Sequence, residues 1–199
     1  MTNKDIIAQY VDTGLQLPEY QVTQLPGWAA KSYIRKRLIA ANLDDGFLQG
    51  YETTLLNPEQ SEQYFSKYFK LYVDDMNFPN PTVQNQIKKD LKYFPDKYQS
   101  TYVDTQIAMD NALDEKVFFQ LTTENKIKFL DWNVKRGLKK NSMSDIFYHN
   151  KMSEELKVYY LKQLVSLYGK EEVIKGGMWK IANHKRWIFD EAMEILNKI

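Results

Sequence analysis

The sequence predicts an all-α fold, an irregular bundle of about ten helices with no substantial sheet. Three observations point there. From Asn57 to Met76 apolar residues return every three or four positions, the period of a helix with one buried face. Trp28 to Asn42 carries apolar residues on two sides of one helix. Only Lys116 to Leu121 is short, apolar and β-prone enough to be read as a strand, and even there helix is the preferred reading. A chain of 199 residues can bury one sizeable core, so a single helical domain over 1–199 is expected, with 77–81 as the candidate internal boundary.

In chain order, Asn3 to Thr13 places Ile6, Ile7, Tyr10 and Val11 on one side and stops at Gly14. Leu17-Pro18-Glu19-Tyr20 opens a short second helix, with proline and glutamate where a first turn favours them. Pro26-Gly27 closes it and starts the helix around which the rest is organised. At about 100° per residue, Ala30, Tyr33, Ile34, Leu38 and Ala41 share a broad face, and Trp28 and Ile39 share a second, smaller one. Such a helix is expected to touch neighbours on two sides. Arg37 projects from the broad face, where an unpaired guanidinium is costly to desolvate, so it needs a carboxylate partner or a surface shared with another chain.

Leu43 to Gly46 reads as a turn, and Phe47 to Leu56 as a helix through Phe47, Leu48, Tyr51 and Leu55. Asn57-Pro58-Glu59 is a helix start with an Asn cap and proline in the first position. The helix it opens gathers Tyr64, Phe65, Tyr68, Phe69, Leu71, Tyr72, Val73 and Met76 on one face. Two prolines, Pro79 and Pro81, interrupt any continuation. Thr82 to Tyr93 and Asp96 to Leu113 are the next two helices, the latter through Tyr98, Tyr102, Ile107 and Met109. Thr123 and Glu124 start a helix through Ile127, Phe129, Leu130 and Val134 that stops at Gly137. Ser142 or Ser144 starts a short turn. Ser153-Glu154-Glu155 begins a long helix through Leu156, Tyr160, Leu164 and Leu167 to Gly169. Lys170 to Lys175 is short, Gly176-Gly177 is a hinge or tight turn, and Asn183 caps a last helix through Ile188, Ala192, Ile195 and Ile199.

Composition narrows the chemistry. Twenty-seven basic residues nearly cancel 26 acidic ones, so no global field draws the molecule to nucleic acid or an anionic membrane. The absence of cysteine excludes disulfides and thiolate zinc sites. Only His149 and His184 could serve as imidazole bases, and neither has a catalytic motif around it. No catalytic residues, metal or cofactor are therefore expected. The N-terminal residues lack the apolar core of a signal peptide, and no apolar run approaches the roughly 18 residues of a membrane span, so neither secretion by a signal peptide nor a membrane location is expected. The 14 Tyr, 10 Phe and 4 Trp suit surfaces that are half apolar and half wet, as protein contacts are, although a genome biased toward these codons would also produce them.

Three charge clusters sit awkwardly. Lys180, His184, Lys185 and Arg186 lie at the start of the last helix, where the macrodipole disfavours cations and an anion could be held. Asp74 and Asp75 lie at a helix C-terminus, also against the dipole. Arg35, Lys36 and Arg37 lie inside the central helix, where Arg35 and Lys36 would face DNA if that helix and the short one before it formed a helix-turn-helix pair. Arg37, pointing with the apolar residues, argues against that.

The stretch Leu17-Pro18-Glu19-Tyr20-Gln21, followed by Tyr33-Ile34-Arg35-Lys36-Arg37-Leu38-Ile39-Ala40 in an Asn/Lys/Tyr-rich chain, resembles the small helical ring and connector proteins of tailed phages, particularly crAss-like ones. The likeness covers about the first quarter of the chain and carries no site residues over. It implies a non-catalytic protomer, placed in the virion or the host cytoplasm, that repeats around a portal neck and joins head to tail beside other virion proteins. A ring interface needs two different complementary patches per subunit, and the Asp-rich and Lys/Arg-rich clusters, with Trp28, are candidates to supply them. The alternative is a nucleic-acid-binding regulator using Arg35, Lys36 or the Lys180 to Arg186 cluster.

Overall fold

The computed structural model describes residues 7, 11–43, 47–74, 81–137, 152–177 and 186–199; at 42, 43, 71–74, 81–83, 176, 177 and 186–189 it describes the backbone alone. All regular structure among the described residues is helical. The preferred reading of Lys116 to Leu121 holds, since Glu115–Gln120 is a helix opened by Asp114, whose Oδ1 accepts the Lys116 N–H at 2.7 Å. Among the described residues no helix is long and apolar enough to cross a membrane. Contacts group the chain into two compact units, Met1–Tyr98 and Gln99–Ile199. Most of the proline-bounded stretch 77–81 lies outside the described residues.

In the first unit, residues 11–13 end a helix at Gly14, and α1 (Glu19–Val22) and α2 (Gly27–Leu43) follow. Val11, Leu17, Val22, Ala29 and Tyr33 are packed together, with Ile7, Leu25, Tyr51 and Leu55 around them. The helix expected over Phe47 to Leu56 is only α3 (Gly50–Thr53). Phe47 to Gln49 are non-helical: Phe47 lays its ring edge-on against Tyr68 at 4.7 Å, and the Leu48 N–H donates to Tyr64 Oη at 3.0 Å. The apolar spacing that suggests a longer helix is there spent on packing against α4 (Pro58–Asp74). At the start of α4, Asn57 and Gln60 satisfy each other's backbone N–H groups reciprocally, at 2.9 and 3.1 Å.

The aromatic face of α4 is core where side chains are described. Phe65 and Phe69 stack against Phe94 and Tyr98 at centroid distances of 4.9 to 5.8 Å, in the tilted and edge-on arrangements that ring quadrupoles favour. α5 (Pro81–Asp90) continues into a 3-10 turn, Leu91–Tyr93, that stops before Pro95. Gly50 lies where this turn meets α3. A Cβ there would sit 2.2 Å from the Tyr93 ring and 2.7 Å from the Asp90 carboxylate, so only glycine allows that approach.

The division between units falls within α6 (Asp96–Ala108), which ends five residues before the expected Leu113. Asp110 takes φ 53°, a left-handed conformation that Asp tolerates better than most residues. That breaks the helix and leaves Met109 outside it, 42% exposed. After α7 (Glu115–Gln120), α8 (Thr123–Lys135) packs on α9 (Glu154–Tyr168). Tyr159 Oη donates to Asp131 and Tyr168 Oη to the Val134 carbonyl, both at 2.7 Å. Leu156, Tyr160 and Leu164 are buried as their spacing predicts, whereas Leu167 is 54% exposed, so the buried face of α9 stops short of its last turn. α10 (Lys170–Glu172) leads into a π-helical turn, Val173–Gly177, so the two glycines expected as a hinge close a wide helical turn. α11 (Arg186–Lys198) buries Ala192, Ile195 and Leu196, and Ile199 beyond it is exposed. Asn183, Ser142 and Ser144 lie outside the described residues, as does the turn over 44–46.

Candidate functional site

The central helix α2 carries the features that could serve a function, and its two sides behave oppositely. On the inner side, Arg37 meets a carboxylate of its own chain. Its Nε lies 2.8 Å from Oε1 of Glu52, its Nη2 donates to Oε2 at 3.4 Å, and its Nη1 donates to the Gly14 carbonyl at 3.2 Å. Glu52 is fully buried on α3. It also accepts Tyr33 Oη at 2.5 Å and the Gln49 N–H at 2.8 Å. Tyr33 Oη in turn accepts the Leu17 N–H at 2.9 Å, and Tyr51 Oη donates to the Leu17 carbonyl at 2.7 Å. One buried carboxylate thus holds together the 14–17 loop, α2 and the start of α3.

The electrostatics match a structural knot. Burial raises the Tyr33 phenol well above its ordinary pKa, and the hydrogen bond to Glu52 pushes it further the same way, so it stays a neutral donor. Burial pulls the Arg37 guanidinium down, but the hydrogen bond and charge of Glu52 more than offset that and leave it raised. Neither group is positioned to give up a proton near neutral pH. The sequence demands a carboxylate for Arg37 without naming Glu52. The local signal for Glu52 is its place three residues after Gln49, where its side chain reaches back to that residue's N–H.

The outer side of α2 is bare. Trp28 is 71% exposed and Ile39 53%, so the second neighbour expected for this helix is absent among the described residues. Eleven residues apart, they stand about 20° from one another around the axis and ~16 Å along it. Arg35 lies between them on the same strip, exposed, with Lys31 and Lys36 exposed on its two flanks. The helix holds four cations, Lys31, Arg35, Lys36 and Arg37, and no acidic residue. Only Arg37 has a carboxylate partner among the described residues.

Comparison with known families, with curated proteins and with solved structures returns no match.

The remaining candidates divide by position. Trp28, Arg35 and Lys36 are brought together on one surface, and Arg37 is withdrawn from it. Asp74 ends α4 and Arg186 starts α11, with backbone alone described for both. Asp75, Lys180, His184 and Lys185 lie outside the described residues. At the end of α8, Arg136 pairs with Asp110 at 2.9 Å and lies 4.5 Å over the Trp132 ring, as a structural cation does. Among the described residues no group of three or more His, Asp or Glu is placed to hold a metal.

Proposed function

We propose that this chain is a non-catalytic structural protein that works by assembly, presenting the outer strip of its central helix to another protein surface. The connector ring joining head to tail in tailed phages is the setting its resemblance suggests. The observation that carries this reading is the split of α2. Arg37 is satisfied inside the subunit, while Trp28 and Ile39 remain 71% and 53% exposed around Arg35. A large aromatic and a β-branched aliphatic flanking an arginine have the composition of a protein-contact core, in which Trp and Arg are the residues that most often dominate binding. The buried polar groups of α2 hold the scaffold and are saturated by it, which leaves the strip as the part free to act.

Sedimentation velocity over a wide concentration range tests this. Assembly into species larger than the monomer is the expected result, and a monomer at every concentration would defeat the proposal. A second reading, a nucleic-acid-binding regulator, is favoured by one observation: Lys31, Arg35 and Lys36 are all exposed on a helix without acidic residues. Against it, α1 before that helix is four residues long, short for the first member of a helix-turn-helix pair, and Arg37 faces inward. Titration with duplex DNA at two salt concentrations separates the readings, because phosphate binding falls steeply with salt.

A further inference from the structure

Resting on the reading of the outer α2 strip as a protein-contact surface, we infer that its occupant is an acidic amphipathic helix of another protein. Trp28 and Ile39 mark the two ends of the strip, and exposed Arg35 stands between them, about 10 Å along the axis from Trp28 and about 6 Å from Ile39. Any partner that buries both apolar side chains takes the guanidinium out of water with them. That is costly unless a carboxylate meets it there. Lys31 and Lys36 stand exposed on the flanks and α2 holds no acidic residue, so the rim of the contact calls for negative charge as well.

A second copy of this chain meets that demand poorly. An antiparallel pair of strips that sets Trp28 against Ile39 of the other copy brings the two Arg35 side chains within about one helical turn of each other. It also sets Lys31 beside Lys31 on one flank and Lys36 beside Lys36 on the other, with no acid on either helix to intervene. The acidic stretch from Asp104 to Glu115 is engaged at home: Asp104 holds Lys128, Asp110 holds Arg136, and Asp114 caps α7. Glu62, Glu191 and Glu194 likewise hold lysines of their own subunit. Docking through any of these would break one ion pair or cap for each contact made to the strip, whereas a foreign carboxylate without such a commitment gains the contact outright.

The backbone of the occupant is constrained too. α2 spends its interior N–H and C=O groups on its own helical ladder, so a strand laid along the strip would find no backbone partners, while a helix arrives with its own satisfied and packs through side chains. On a helix lying along α2, two apolar residues about eleven positions apart reach Trp28 and Ile39. The carboxylate for Arg35 then falls about four positions after the first of them in an antiparallel arrangement, or about seven in a parallel one. Acidic residues beside that line face Lys31 and Lys36.

Fluorescence anisotropy with the full chain and a labelled synthetic helix of this spacing tests the inference, with leucine at the apolar positions and glutamate at both carboxylate positions and on the flanks. The glutamate helix is expected to bind about tenfold or more tightly than the same helix carrying lysine in place of glutamate, a difference of about 1.4 kcal/mol or above. Trp28→Ala is expected to weaken that binding about tenfold, and Arg35→Glu to erase the preference for glutamate, each with an unchanged circular dichroism spectrum, since both side chains are exposed. No binding of the glutamate helix, or binding that both variants leave intact, overturns the inference; a parent that still sediments as an assembly then keeps the assembly reading on another surface. Self-assembly that Trp28→Ala and Arg35→Glu weaken makes a second copy the occupant and overturns the inference as well. A labelled duplex DNA that binds more tightly than the glutamate helix, and is released by Arg35→Glu, identifies the occupant as nucleic acid. A parent that binds the glutamate helix in this way but stays monomeric loses the self-assembly and keeps the acidic partner.

Discussion

Among the described residues, Glu52 in the first unit and Asn133 in the second are completely buried polar side chains, and the two are treated in opposite ways. Glu52 receives hydrogen bonds from Tyr33, Arg37 and the Gln49 backbone, so its charge is neutralised and its lone pairs are occupied. Neither the Oδ1 nor the Nδ2 of Asn133 has a hydrogen-bond partner among the described residues. The difference teaches where the specificity of this protein resides. A saturated buried charge dictates the relative placement of three segments, because any other arrangement strands it. An unpartnered amide dictates nothing and costs its desolvation.

The largest expected effect comes from breaking the saturated site. Glu52→Ala leaves the largely buried Arg37 guanidinium without its counter-charge and Tyr33 without its acceptor, and is expected to cost about 3–5 kcal/mol in denaturant unfolding. Because the damage is the stranded guanidinium, Arg37→Met should repair part of it. The two positions should couple by about 0.5–3 kcal/mol in a double-mutant cycle. Additive losses would mean that the ion pair does not hold α2 to α3. The comparison sharpens from the other side with Asn133→Leu, which replaces the amide by an apolar group of similar size. It is expected to stabilise the protein by about 1–3 kcal/mol, read as a higher denaturant midpoint at unchanged slope. A loss of stability would show that the amide is satisfied.

This contrast also explains what the sequence could and could not reveal. The fold class was legible because burial writes a period into the chain: Phe65, Tyr68 and Phe69 sit at helical spacing and are all core. So were the helix starts at Asn57 and Ser153, where the cap is a local hydrogen bond. Arg37 announces its need for a carboxylate, but its partner lies 15 residues away on another helix, and no local rule points to it. The helices drawn too long, over Phe47 to Leu56 and Asp96 to Leu113, failed for a related reason. Periodicity cannot distinguish apolar residues that continue a helix from those that pack in extended or turn backbone, as Phe47 and Leu113 do. Of the candidate site, Trp28 with Ile39 is readable as a second apolar strip and Arg35 with Lys36 as a separate basic pair; that they share one bare surface is not, because exposure depends on what the remainder of the chain fails to cover.

A third buried polar group, Asp90, lies between the two extremes and gives the smallest effect, one that depends on pH. It is 6% exposed and hydrogen-bonded to the Gln86 side chain and the Gly50 N–H. Unlike Glu52 it has no arginine against it. Burial raises its pKa above the ordinary carboxylate value, against the weaker opposing pull of Lys89 and those hydrogen bonds. Folding therefore favours the protonated acid. The stability this group contributes is complete below the pKa it has in the unfolded chain, and it is lost as pH rises through the higher value it has when folded. Asp90→Asn keeps an oxygen for the Gly50 N–H and removes the charge. The variant should therefore gain on the parent as pH rises from strongly acidic values to neutrality, and show no such trend of its own at this position. Chemical denaturation of both proteins across that range decides the matter. A parent that gains on the variant with rising pH would place Asp90 with Glu52, as a carboxylate the fold needs charged.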